Sequence, residues 1–261
     1  MLQTTKTRAV NDCVDAVYVL SVKTLQTRIQ SIHQQLSHHD IKFEFIFDHD
    51  ADDIKNDDLS NIFAAPDLTL KHKSLVMKNI FVWRDAVKNG YQTILVFEDD
   101  ALLSEEFVNH FVAGMTAAKS LKPGWLIFLG GADVKVPDRY FLAKGPLIEM
   151  PISTAEGCVS DITAIMRRLN WLEKNKISLP ADHLIRHVDK EMGTSQYWLT
   201  TPIVQQGSTT GMFDSLLDSH RQKHSLMFTK WRNRWNKLRR QRVRRIIVRM
   251  LAKLGFYSNT D

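Results

Sequence analysis

The chain of 261 residues is 44% hydrophobic and 25% charged, an ordinary globular balance with enough apolar residues for one substantial core. Its two cysteines, Cys13 and Cys158, exclude a disulfide framework and a cysteine-rich zinc site, so we expect a reducing compartment. The sequence has no apolar signal-peptide core and no run of about 18 apolar residues, so we expect neither secretion nor a membrane-spanning helix.

The net charge of +6 is distributed unevenly along the chain. Residues 219–261 carry 13 Lys or Arg and one acidic residue, whereas the remaining residues carry 22 basic and 28 acidic ones. The sequence pI of about 9.3 therefore reflects the C-terminal segment and not the rest of the chain. We predict a main domain over residues 14–218 and a basic tail over residues 219–261, with an anionic partner for the tail.

Strands alternate with helices through the first half of the chain. Strands rich in apolar and β-branched residues are predicted at 15–22, 41–48, 91–97 and 124–131. Apolar residues at spacings of three and four predict helices after the first three of these strands, and "ITAIMRRLNWLEKN" and "PADHLIRHVDKE" predict two more. The alternation predicts an α/β, Rossmann-like domain with a mostly parallel central sheet.

Three local features are predicted from helix patterns. The helix over 72–88 should end at Gly90, and Ser104 should cap the helix that follows the third strand. The residues of the 72–88 helix that share one predicted buried face are Val76, Ile80, Trp83 and Val87.

The third strand ends in three consecutive carboxylates, Glu98, Asp99 and Asp100. Ligands of open α/β sheets bind at the carboxyl ends of the strands, where Ser21 and Asp48 are also expected. Alternate residues of an extended segment point the same way, so Glu98 and Asp100 can face one divalent cation while Asp99 faces away. Mg²⁺ and Mn²⁺ prefer oxygen ligands and bridge to phosphate oxygens. The triplet indicates either a metal–diphosphate site or a solvated turn.

The residues around this triplet resemble glycosyltransferase family 25, the bacterial lipooligosaccharide and lipopolysaccharide β-galactosyltransferase family. The resemblance covers about residues 14–210, and Lys71 departs from it because the family usually has Ser before His72. The most specific block is "LKHKSLVMKNIFVWRDAVKNGYQTILVFEDDALLSEEF". The other matching blocks are "VYVLSVKTLQTRIQSI", "FEFIFDHDA" and "ISLPADHLI".

The resemblance implies a GT-A fold and a Mn²⁺- or Mg²⁺-dependent transfer of a hexose with inversion. The expected donor is a nucleotide-diphosphate sugar such as UDP-galactose, and the expected acceptor is a lipooligosaccharide, lipopolysaccharide or other lipid-linked glycan. Glu98 and Asp100 would hold the metal ion. The residues predicted to bind the donor are Ser21, Arg28, Asp48, His72, Asp99 and Gln206.

Each of these roles has a structural alternative. Arg28 can be a solvated helix residue, His72 a structural histidine, and Gln206 part of a polar turn. Asp182 is the first choice for the catalytic base, and its alternative role is a helix N-cap because it follows Pro180. Asp161 and Asp214 are the rival candidates for the base.

The basic tail has helical spacing and two apolar stripes. Trp beside Arg, low hydrophobicity and scarce acidic residues predict an interfacial helix on an anionic membrane surface. A helix packed on the main domain and a nucleic-acid-binding segment are the alternatives, the latter without a recognised module. The expected location is the cytoplasmic face of a bacterial inner membrane, and the alternative function is a non-catalytic basic-tail protein that binds membrane or nucleic acid. The stripes comprise Phe228, Trp231, Trp235 and Leu238, and then Val243, Ile246, Met250 and Leu254.

Overall fold

The computed structural model describes residues 9–54, 59–64, 68–131, 136–152, 154, 156–213, 235 and 243–256. The strands in these ranges are β1 (Ala16–Leu20), β2 (Glu44–Ile46), β3 (Thr93–Glu98), β4 (Ala101–Leu103), β5 (Trp125–Phe128), β6 (Leu147–Glu149), β7 (Gly157–Asp161), β8 (Ser195–Leu199) and β9 (Val204–Gln206). The helices are α1 (Gln26–His38), α2 (Leu70–Lys88), α3 (Phe107–Ala118), α4 (Arg139–Leu142), α5 (Ile162–Leu172), α6 (Ala181–Glu191), α7 (Gly207–Thr210) and α8 (Arg244–Lys253).

Seven strands form a mixed sheet in the order β2-β1-β3-β7-β5-β8-β6. β1 is parallel to β2 and β3, and β5 is parallel to β8. β7 lies antiparallel between β3 and β5, and β6 is antiparallel at the far edge. Five strands therefore end at one edge of the sheet, and β7 begins there. The predicted α/β domain with a mostly parallel sheet is confirmed.

Helices cover both faces of the sheet, so its central strands are apolar almost throughout. Successive residues of β1 alternate between the two sides, Val17 and Val19 in one core cluster and Tyr18 and Leu20 in the other. The first cluster includes Ile32 and Leu36 of α1 and Phe107 and Phe111 of α3. The second includes Ile80 and Trp83 of α2, Ile165 of α5 and Leu184 of α6.

The second strand is shorter than the predicted range of 41–48. Only Glu44–Ile46 pairs with β1, because the side chain of Asn11 takes both backbone hydrogen bonds of Lys42, each at 2.9 Å. At the other end His49 adopts a left-handed conformation with φ 63°, which turns the chain before the strand can continue.

Two of the local helix predictions are wrong. Val87 is 42% exposed, because it lies in the last turn of α2, just before the chain turns away at Gly90 with φ 71°. Ser104 does not cap α3, whose N-cap residue is Glu106. The backbone carbonyl of Ser104 accepts a hydrogen bond from the Phe107 N–H instead, at 3.0 Å.

The predicted tail is described at Trp235 and over residues 243–256, and Phe228, Trp231, Leu238 and the predicted boundary at 218 lie outside the described residues. α8 packs on α4 through Val248, which is 2% exposed in a cluster with Tyr140 and Phe141. Ile246, Ile247 and Met250 are exposed, and Leu251 is half-buried. None of the helices in the described ranges is long and apolar enough to cross a membrane.

A buried ion pair joins helices α5 and α6 to each other and to the sheet. The guanidinium of Arg168 on α5 donates to both carboxylate oxygens of Asp189 on α6, at 2.7 and 2.8 Å. Ser160 of β7 and Gln196 of β8 complete the network at 3.0 and 2.9 Å. Both charges are almost fully buried, so each depends on the other for its partner.

We therefore expect Asp189→Ala to reduce the free energy of unfolding by about 3–5 kcal/mol, because it leaves the Arg168 charge buried and unpaired. Urea denaturation monitored by circular dichroism measures this loss. Asp53→Ala, which removes an exposed ion pair with Lys23, is the control and should leave the melting temperature close to that of the wild type. Equal stability of the two variants would contradict a structural role for the buried pair.

Candidate functional site

A cavity of about 280 Å³ opens at the carboxyl ends of β1 and β3. Its walls come from the loop after β1, the first turns of α1 and α2, the loop after β2, the acidic triplet and the segment after β9. The polar side chains that line it include Ser21, Arg28, Ser74, Lys78, Glu98, Asp99, Asp100, Gln206 and Ser208.

Asp99 is tied to the first strand and the first helix. Its carboxylate accepts hydrogen bonds from Ser21 Oγ at 2.8 Å and from Arg28 Nη1 at 3.0 Å. Burial raises the pKa of Asp99, and the charge and hydrogen bond of Arg28 oppose that rise. Arg28 is only 8% exposed, so the alternative of a solvated helix residue is wrong. Asp99 thus holds Arg28 at the cavity wall.

Asp100 is buried where the small two-stranded sheet meets the main sheet. The pairing of Ala101 with Gln206 brings the chain after β9 alongside, and the backbone N–H of Ser208 donates to Asp100 Oδ2 at 3.2 Å. Gly207 donates to the Asp100 carbonyl at 2.7 Å, and a Cβ at this position would lie 2.8 Å from the carbonyl oxygen. Within the described part of the chain, Asp100 Oδ1 is buried without a hydrogen-bond partner.

Glu98 ends β3 and reaches two neighbouring spaces. It lines the main cavity and also a smaller pocket formed with Thr154, Asp182 and Ile185. Burial raises the pKa of Glu98 well above its usual value, and the nearby charges of Asp100, Asp99, Glu156 and Asp182 add to that rise. An ionised Glu98 therefore needs a positive partner.

Glu156, which the sequence analysis missed, is a fourth carboxyl group at this edge. It is 6% exposed and accepts a hydrogen bond from the backbone N–H of Gly131. Its side chain fills the space beside Gly130, where a Cβ would overlap with Glu156 Oε1. Burial raises the pKa of Glu156 to about 7, against the opposing backbone hydrogen bonds. The residue precedes β7, a strand that the sequence pattern did not reveal.

A buried lysine and its partner were missed as well. Lys78 on α2 is 2% exposed, and its ammonium group donates to Asp50 Oδ1 and to the Asp48 carbonyl, each at 2.7 Å. Burial lowers the pKa of Lys78, and the hydrogen bond to Asp50 opposes that change. Sequence spacing offered a signal, because Lys78 and Ser74 are four residues apart on one helix face and both line the cavity.

The structure does not bring Asp48 and His72 to the cavity wall. The Asp48 side chain is exposed, because the turn after β2 directs its carbonyl toward Lys78 and leaves the buried carboxylate position to Asp50. His72 instead contacts the N-cap residue of α2, with Nδ1 2.8 Å from Thr69 Oγ1. Ser21 and Gln206 do line the cavity, as predicted.

The two candidate bases within the described residues have separate positions. Asp182 lies in the first turn of α6 and lines the small pocket beside Glu98, and the N-cap residue is Pro180, so the N-cap alternative is wrong. Asp161 caps α5 at the opposite edge of the sheet and accepts backbone hydrogen bonds from Gly124, Trp125 and Ala164. Asp214 lies outside the described residues.

The residues at the end of β3 fit a divalent cation. Asp100 Oδ1 is an unpartnered buried oxygen, and Glu98 lines the same cavity. Hard oxygen donors are the ligands that Mg²⁺ and Mn²⁺ prefer. No group of three His, Cys, Asp or Glu in the described ranges can hold a metal ion by itself. The protein would therefore supply two carboxylates, and phosphate and water oxygens would supply the remaining ligands.

Comparison with models of protein families gives a match. The family model described as glycosyltransferase family 25 (LPS biosynthesis protein) matches residues 14–206. This span contains β1 to β9 and every cavity-lining residue named above except Ser208. No curated protein matches the chain.

The raised pKa of Glu156 predicts a pH-dependent stability difference. Between about pH 4.5 and pH 7 the folded state keeps a proton on Glu156 that the unfolded state has released, so metal-free wild-type protein loses stability as the pH rises. Glu156→Gln removes this titration. The stability of the variant relative to the wild type should therefore increase between pH 5 and pH 7.5, by up to about 1.4 kcal/mol per pH unit.

Urea denaturation of both proteins in EDTA, at pH 5 and pH 7.5, measures this difference. EDTA keeps a bound cation from stabilising the charged form. Parallel pH profiles for the two proteins would contradict a Glu156 that is protonated near neutral pH.

Proposed function

Because the chain belongs to glycosyltransferase family 25, we propose that it transfers a hexose from a nucleotide-diphosphate sugar to a hydroxyl of a lipid-linked glycan. UDP-galactose is the donor that we favour, and lipooligosaccharide or lipopolysaccharide is the acceptor. The observation that carries the proposal is the pair of carboxylates at the end of β3, Glu98 and Asp100, in one cavity with a buried unpartnered oxygen. The alternative of a non-catalytic basic-tail protein does not explain why two neighbouring carboxylates are held in one cavity.

The architecture supports a GT-A-like fold as part of this proposal. The acidic triplet lies at the carboxyl edge of a mostly parallel sheet, between that sheet and the small β4–β9 sheet. This edge is where open α/β sheets bind nucleotides. The cavity between β1, α1 and α2 would therefore receive the donor, with its diphosphate toward the triplet.

One cation of the protein suits an anionic donor. The guanidinium of Arg28 is held at the cavity by Asp99, whereas the buried Lys78 ammonium donates to Asp50 and to the carbonyls of Asp48 and Ile46 and so supports the wall. Arginine in a fixed orientation is a good partner for phosphate oxygens. Glu98 and Asp100 would hold a Mn²⁺ or Mg²⁺ ion, which when bound would neutralise the negative charge that develops on the leaving diphosphate.

Inversion needs a base on the side opposite the diphosphate. The acceptor oxygen forms a bond to the anomeric carbon as the bond from that carbon to the diphosphate oxygen breaks, and the hydroxyl proton passes to the base. Asp182 is our candidate, because it lines the small pocket that shares Glu98 with the main cavity and its carboxylate is only partly buried. It can therefore meet an acceptor that enters from solvent.

We place the reaction at the cytoplasmic face of a bacterial inner membrane, with the basic tail over residues 219–261 on the anionic lipid surface. A lipid-linked acceptor is confined to that surface, so an enzyme held there meets it at a high local concentration. The charge of the tail supports this location, with 13 Lys or Arg and one acidic residue.

The metal assignment predicts that Asp100→Asn abolishes sugar transfer while the protein stays folded. The variant should also lose the increase in melting temperature that UDP-galactose and Mn²⁺ together give to the wild type, because ligands that bind only the native state stabilise it. EDTA should remove the same increase from the wild type. Full activity in EDTA, or a fully active Asp100→Asn, would refute a metal site formed by Glu98 and Asp100.

The base assignment predicts that Asp182→Asn lowers kcat by about 10²- to 10⁴-fold and leaves donor binding unchanged. Asp161→Asn is the matched control, because that carboxylate caps a helix at the far edge of the sheet. It should lower the melting temperature and leave the kcat of folded enzyme near the wild-type value. A loss of donor affinity in Asp182→Asn would instead assign Asp182 to the donor pocket.

A further inference from the structure

α8 presents two chemically different faces, and we infer that its exposed apolar face is a docking surface for an anionic lipid bilayer. The inference narrows the membrane contact proposed above for residues 219–261 to one side of one helix. It rests on that proposed location but not on the transfer chemistry, because lipid binding is measured without donor or acceptor.

The inner face of α8 is fixed to the main domain. Val248 is buried against the α4 region, and Arg244 donates to Asp138 Oδ1 through Nε at 2.9 Å and Nη2 at 2.6 Å. Arg249 Nε donates to the Phe141 carbonyl at 3.2 Å. These contacts set the rotation of the helix about its axis, so the opposite side must face outward.

The outer face is a continuous apolar stripe. At about 100° per residue, the positions of the stripe fall within roughly a third of the helix circumference, with Val248 on the other side. Contiguous exposed apolar surface of this kind marks an interaction site in a soluble domain. The exposed fractions are 43% for Val243, 59% for Ile246, 50% for Ile247, 59% for Met250 and 69% for Leu254.

The positive charge on α8 favours an anionic lipid surface over a second copy of the chain. The helix carries three Arg and one Lys and no acidic residue. A second copy of the same face would bring like charges together, whereas anionic lipid headgroups complement them. Lys253 and Arg249 are exposed and fall along one border of the stripe on the helical wheel. Basic residues that flank an apolar face describe a helix lying in the membrane interface.

The length of the helix sets the mode of binding. Ten residues give an α-helix of roughly 15 Å, about half the thickness of the hydrocarbon core. α8 would therefore lie parallel to the bilayer surface, with the apolar stripe among the headgroups and the upper acyl chains. The contacts of Arg244 and Val248 would hold the main domain against the lipid at a fixed orientation.

The test is flotation of the full-length protein with vesicles of phosphatidylglycerol and phosphatidylcholine, compared with vesicles of phosphatidylcholine alone. Met250→Glu is the test variant, and Met166→Glu on α5 is its matched control, because the two methionines are 59% and 54% exposed. Both variants have the same net charge, so a difference between them reports the position of the substitution and not bulk electrostatics.

We expect Met250→Glu to reduce binding to anionic vesicles by at least about tenfold, and Met166→Glu to bind like the wild type. High salt should weaken wild-type binding without abolishing it, because apolar insertion is not screened. Transfer to a soluble acceptor should be equal in all three proteins, so this test can fail while the transferase proposal stands.

Three results would overturn the inference. The first is equal binding of both variants to anionic vesicles. The second is a lower melting temperature of Met250→Glu alone, which would mean that another part of the chain covers the stripe. The third is a wild-type dimer in sedimentation that Met250→Glu dissociates, which would make the face an interface between two copies.

Discussion

The site depends on the crowding of carboxyl groups at one edge of the sheet. Glu98, Asp99, Asp100 and Glu156 gather where β3 ends, in surroundings that largely exclude water. Each charge must find a partner or remain protonated, because burying an unpaired carboxylate is expensive. Asp99 has Arg28 and a serine hydroxyl, and Glu156 has the N–H of the glycine pair. Within the described residues one oxygen of Asp100 is buried without a hydrogen-bond partner, and Glu98 lines the same cavity, which is why we propose a cation there.

The topology of the sheet explains why these groups meet although they come from distant parts of the chain. The parallel strands β1 and β3 end at the same edge, which brings Ser21 and Arg28 to Asp99. The antiparallel strand β7 starts at that edge, so the residue before it, Glu156, joins the cluster. Strand β9 pairs with β4, and this pairing places the backbone N–H of Ser208 within hydrogen-bond distance of Asp100. The site is therefore a consequence of strand direction more than of local sequence.

Because strand direction brings the site residues together, only the residues at the ends of predictable strands could be identified from the sequence. Periodicity located β1, β2, β3 and β5 but not the parallel strand β8, and the common edge of β1 and β3 identified the acidic triplet and Ser21. Glu156 and Lys78 were missed, because their partners are 25 and 28 residues away and are met only after the sheet and α2 pack. Asp48 was chosen over Asp50 for a similar reason, since a left-handed residue between them decides which carboxylate turns inward.

In the tail, a helix that packs on the main domain and a helix that faces a membrane were alternative predictions, but one helix can do both. A packed helix and a membrane-facing helix were separate interpretations of the same residues, yet α8 buries Val248 and exposes Met250. Two positions apart on a helix are on nearly opposite sides, so one sequence can serve both surfaces. The ion pair of Arg244 with Asp138 also uses one basic residue to fix the helix, which leaves the flanking Lys253 toward solvent. If lipid covers the stripe, the same contacts that stabilise α8 determine how the carboxyl edge of the sheet is oriented toward the bilayer.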